Sequence, residues 1–64
     1  MKRTNLMKEI ARRAKSGGVE WAFVREGANH EVWQYGTLRV TIPRHSDINE
    51  LTAKGILRDI EEAS

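Results

Sequence analysis

Few groups in this chain can move a proton near neutral pH: two histidines, His30 and His45, and no cysteine. His30 follows Gly27-Ala28-Asn29, a turn-forming run, and opens a stretch rich in Val, Trp and Tyr. A histidine placed where a tight turn feeds a strand stands at the rim of a sheet, exposed and held by backbone pairing, which suits general acid–base work. The same seat suits a solvated histidine with no role, and the residue type alone leaves both readings open. His45, directly after Pro43-Arg44, is either a second proton-transfer group or an organiser of its loop. Around these lie the cations Lys8, Arg12, Lys15, Arg25, Arg39 and Arg44, candidates to hold phosphate. Arg39 is favoured, because alternation places it on the face opposite Leu38 and Val40.

Other chemistries find no support. His30-Glu31-Val32-Trp33-Gln34 begins like an H-E-x-x-H zinc box but lacks the second His, and it lies in an expected strand, where neighbouring side chains point to opposite faces. Ser16, Ser46 and Ser64 have no G-x-S-x-G context, and no Gly-rich phosphate loop precedes a helix. No His/Cys cluster has metal-ligand spacing, and no cofactor motif is present.

Sixty-four residues allow one small domain, spanning 1–64, that buries only about 60% of the surface its unfolded chain exposes. With no disulfide to staple it, such a chain must gain stability from packing or from a partner. The absence of cysteine fits a reducing cytosol, and the basic start Met1-Lys2-Arg3 leads into polar residues instead of an apolar run, so neither a signal peptide nor a membrane span is expected. The expectation is a soluble protein of the cytoplasm. The net charge of +2 argues for no partner by itself, but its distribution is uneven: nine basic and four acidic residues up to Arg44, two basic and five acidic residues from His45 onward.

The elements that must position these residues follow from periodicity. Leu6, Ile10 and Ala14 recur at helical spacing from Thr4 to Lys15, with Thr4 as cap and Ser16-Gly17-Gly18 as a left-handed stop. Lys8, Arg12 and Lys15 share the outer side of that helix, where they either face solvent or meet phosphate, and Glu9 with Arg13 makes an i,i+4 pair. From Trp21 the period becomes extended. Trp21–Glu26, Asn29–Tyr35 and Thr37–Pro43 read as three short strands separated by Gly27-Ala28 and by a turn at Tyr35-Gly36, the pattern of an antiparallel meander. Trp21, Phe23, Trp33 and Tyr35 are either core or a stacking platform for bases. A second helix, capped by Asp47 or Asn49, buries Ala53, Ile56, Leu57 and Ile60, and its interior Gly55 suggests close packing. The fold class is α+β: helix, three-stranded antiparallel sheet, helix, with both helices on one face and the other face free.

Three stretches carry a family resemblance: Val24-Arg25-Glu26-Gly27-Ala28-Asn29-His30, then Val40-Thr41-Ile42-Pro43-Arg44-His45, then Lys54-Gly55-Ile56-Leu57-Arg58. In this order and at this length they resemble the HicA toxins, small mRNA interferases of bacterial toxin–antitoxin pairs, and the likeness covers nearly the whole chain. The resemblance implies a double-stranded-RNA-binding-like fold, a catalytic histidine at the start of the second strand, here His30, an mRNA substrate and a HicB-type antitoxin as partner. Many members carry Gly-Ser before that histidine, whereas this chain has Ala28-Asn29 with the glycine displaced to Gly27; Asn tolerates a left-handed backbone there. RNA supplies its own nucleophile, the 2′-OH, so such a reaction needs no metal.

Overall fold

A computed structural model describes residues 1–63. Its elements run α1 (Arg3–Gly17), β1 (Trp21–Glu26), β2 (His30–Tyr35), β3 (Leu38–Pro43) and α2 (Glu50–Ala63), and the strands form one antiparallel sheet in the order β1-β2-β3. The expected meander is present, each strand boundary within one residue of its periodicity. The register couples Trp21, Tyr35 and Leu38 in one row and Phe23, Trp33 and Val40 in the next. Opposed residues of antiparallel strands share a face, so these rows look toward the helices.

Leu6, Ile10 and Ala14 of α1, Ala53, Ile56 and Ile60 of α2, and Tyr35, Val40 and Ile42 of the sheet join in a single buried cluster. Both helices therefore lie on one face. Leu6, Ile10, Ile42 and Ile60 are fully enclosed, each side chain contributing roughly 1.5–3 kcal/mol by leaving water. Among the described residues, no helix is long and apolar enough to cross a membrane.

The helix ends differ in part from their sequence expectation. Thr4 does not cap α1: the helix begins one residue earlier, Lys2 holds the cap position without a side-chain bond, and the Arg3 amide donates to the Ser46 carbonyl at 2.9 Å. The connection before α2 thus supplies what a capping side chain would have supplied. At the other end Gly18 takes φ +66°, its amide donates to Lys15, and the Val19 amide donates to Ala14 at 2.8 Å. This is a Schellman stop, with Val19 packed on the core. Asn49 caps α2, its Oδ1 accepting the Leu51 amide at 2.8 Å, whereas Asp47 bridges to Lys2 instead. Ile48, just before the cap, is buried with Ala53, the pairing of a hydrophobic staple. Gly55 marks no close packing: a Cβ there would meet nothing within 4 Å.

Candidate active site

β2 alternates between two environments. Glu31, Trp33 and Tyr35 face the helices, while His30, Val32 and Gln34 face the uncovered side of the sheet. On that side the register sets Pro43 beside His30, Arg25 and Thr41 beside Val32, and Ala22 and Arg39 beside Gln34. Val24 is the extra residue of a β-bulge, since Phe23 opposes Trp33 but Arg25 opposes Val32. Without that bulge Arg25 would point toward the helices; with it, the guanidinium shares a face with the imidazole.

The backbone of His30 is fixed from both flanks: its carbonyl accepts the Gly27 amide at 2.7 Å, and the Arg44 amide donates to the Asn29 carbonyl at 3.4 Å. Asn29 has no positive φ, so the turn uses no left-handed residue. The ring is half-buried, less exposed than its place at the rim suggests, because it lies over Gly27. A Cβ built on Gly27 would stand 2.8 Å from Nε2 and 3.1 Å from each of the two ring carbons bonded to it. Equal, slightly longer distances to both carbons place that point above the ring plane; an approach along the in-plane lone pair would leave the carbons much farther off. Gly27 thus touches the imidazole face, and the lone-pair direction of Nε2 is clear of it.

The cations divide into three groups. Arg25 and Arg39 are exposed on the face of His30 and make no ion pair among the described residues. Arg25 is the diagonal cross-strand neighbour of His30, about 7–8 Å away along the backbone, whereas Arg39 lies a further row along the sheet, roughly 13 Å from His30 at the strand rise. Arg39 lies, as alternation placed it, on the face opposite Leu38 and Val40, and Arg25 is the nearer of the two to His30. Arg44 lies beside the turn but pairs with Glu26 at 2.6 Å. Lys8, Arg12 and Lys15 are on the solvent side of α1, across the helical layer from His30, and the structure does not bring them to the site. Arg12 is moreover held by Glu9 at 2.6 Å, and Arg13 shares that carboxylate at 2.7 Å.

His45 is exposed and makes no hydrogen bond among the described residues. Its expected loop-organising role fails: the loop is ordered by backbone bonds from Arg3 to Ser46 and from Ile48 to Met1. The aromatic residues lie on the helix side, Trp21 stacked on Trp33 at 4.8 Å and Phe23 edge-on to Trp33 at 5.6 Å. They offer no stacking platform on the face of His30.

A charged cluster that the sequence did not suggest braces the rear of the site. Glu31 accepts from the Trp33 indole at 3.0 Å and pairs with Arg3, whose Nε also donates to the Pro43 carbonyl at 2.9 Å. The Trp33 indole, with Arg3 and Arg44, holds the Glu31 carboxyl below its ordinary range against a smaller opposing effect of burial. Because Pro43 is the cross-strand partner of His30, this cluster ties α1 to the strand beside the imidazole. No family model matches the chain, and no curated protein or solved structure is similar to it at a significant level.

Proposed function

We propose that the chain is a metal-independent endoribonuclease, the toxin of a HicA-like toxin–antitoxin pair, with His30 as its acid–base residue. One observation carries the reading: an imidazole fixed by strand pairing, its Nε2 lone-pair direction clear of Gly27, on a sheet face where Arg25 is free of carboxylates. The order of elements, with both helices on one face, supports a double-stranded-RNA-binding-like domain. The reading includes a cytoplasmic mRNA substrate and an acidic HicB-type antitoxin.

In the proposed reaction the His30 imidazole takes the proton of a ribose 2′-OH, and that oxygen forms a bond to the adjacent phosphorus. The bond from phosphorus to the 5′ oxygen breaks, and the imidazolium or water protonates the leaving oxygen. The products are a 2′,3′-cyclic phosphate and a 5′-OH end. Arg25 offsets charge on the five-coordinate phosphorus, and Arg39 holds a phosphate farther along the strand. Proton transfer by one positioned side chain contributes about 10²–10⁴ in rate.

The test is His30→Ala, assayed for cleavage of RNA and for growth arrest. Both should be lost while the melting temperature changes little, since a rim side chain outside the core cluster adds little packing. Undiminished cleavage by the folded variant would sink the mechanism. If the unaltered protein binds RNA in a salt-sensitive way without forming products, the chain is an RNA-binding module; if it does neither, it is a protein adaptor. His45→Ala should reduce turnover less than His30→Ala.

A further inference from the structure

We infer that Gly27 is a positioning residue for His30: its bare α carbon is the seat on which the face of the imidazole rests. The catalytic consequence relies on the proposed role of His30; the seat itself relies on geometry alone. The three heavy atoms nearest to a Cβ at Gly27 all belong to the His30 ring, at 2.8, 3.1 and 3.1 Å. Ordinary contact between carbon atoms lies at about 3.5–4.0 Å. A methyl group there and the ring in its present place exclude each other.

Nothing else requires a glycine at this position. Gly18 and Gly36 have φ of +66° and +62°, conformations that other residues avoid, but Gly27 has no positive φ. Its amide bond to the His30 carbonyl would be equally available to alanine. The missing side chain is thus demanded by the ring and not by the turn. The ring is the end of a side chain that can rotate, whereas the backbone of His30 is pinned by its pairing with Gly27 and Pro43. A methyl at position 27 should leave the hairpin folded and turn the imidazole off its seat. The lone-pair direction of Nε2 would then no longer be fixed relative to Arg25 and the bound phosphate. A displacement of about 1 Å in a reacting group can cost on the order of 10²-fold in rate.

The experiment combines Gly27→Ala, His30→Ala and the double variant, reading melting temperature, the NMR signals of the His30 ring carbons and protons, and steady-state RNA cleavage. Gly27→Ala should shift the His30 ring signals and lower kcat by about tenfold to a hundredfold, with KM within about twofold. Its effect on melting temperature should be less favourable when His30 is present than when it has been replaced, because the atoms nearest to the methyl are those of the ring. Unmoved ring signals with unaltered kcat would overturn the inference. So would an equal fall in melting temperature with and without the imidazole, which would assign the glycine to the turn. If the unaltered protein cleaves no RNA, the nuclease reading fails, yet the thermal cycle and the ring signals still decide whether Gly27 seats the imidazole.

Discussion

His30 and Glu31 are neighbours in sequence with opposite surroundings. The first lies on a face no helix covers, and the second sits in a cluster of Trp33, Arg3 and Arg44. The indole hydrogen bond is the largest cause of Glu31's lowered titration, so Trp33→Phe, which keeps an aromatic ring but removes the donor, should raise its midpoint toward the ordinary carboxylate range. His30→Ala should leave that midpoint in place. Carboxyl-carbon NMR across an acid titration reads both. A carboxylate whose folded-state value is lowered stabilises the fold above its unfolded value and loses that effect as pH falls; Trp33→Phe should therefore also weaken the pH dependence of stability on the acid side. At this scale the sequence disclosed residue types and little of their orientation. His30 was legible because a turn followed by a β-rich run fixes where a strand begins. The bulge at Val24 was not, and it decides that Arg25 shares the face of His30. The seat at Gly27 depends on a side-chain rotamer, which no spacing rule reports.

The helices show the same division between pattern and contact. Their buried stripes followed from period 3.6, but the start of α1 did not, because its first amide is satisfied by Ser46 through a contact more than forty residues distant along the chain. Gly55 was misread for a related reason: an interior glycine in a helix signals either close packing or nothing, and only the surroundings distinguish them. Here they are empty, and φ is not positive. Gly55→Ala should stabilise the domain by about 0.4–1 kcal/mol by restricting the unfolded chain and favouring the helix, measured by urea denaturation. Lowered stability would restore the close-packing reading. On α1, Arg12 and then Arg13 hold the Glu9 carboxyl at about 2, down from an ordinary 4.5. A depressed carboxylate contributes stability that is complete above pH 4.5 and is lost as pH falls toward about 2. Glu9→Gln should accordingly flatten the dependence of melting temperature on pH in that window. Salt should shrink the difference between the two proteins, as the pair is near the surface.

Across the whole molecule the basic residues are separated by the helical layer and do not form one continuous path. Lys8 and Lys15 look outward from α1, while Arg25 and Arg39 lie on the far side of the sheet with His30; the smallest dimension of the fold is 17 Å. An RNA strand with its scissile phosphate at His30 meets the second pair and not the first. Each phosphate neutralised on a single strand contributes about 0.7 to the slope of log affinity against log salt. Arg25→Gln and Arg39→Gln should therefore each weaken RNA binding across sequences and reduce that slope by about 0.7 or less, whereas Lys8→Gln and Lys15→Gln should leave it nearly unchanged. Arg25→Gln should also lower kcat, being the diagonal neighbour of the imidazole, while Arg39→Gln should act mainly on affinity. Filter binding over a range of salt, paired with cleavage rates, separates the two effects. A larger loss of affinity from the lysine substitutions than from the arginine ones would move the RNA to the helical face, away from His30, and remove the imidazole from the reaction. The same four variants test the proposed antitoxin: if an acidic partner silences the proposed nuclease by covering the sheet face, it should lose affinity with Arg25→Gln and Arg39→Gln, whereas one that binds the outer side of α1 should respond to the lysines and leave the RNA path open.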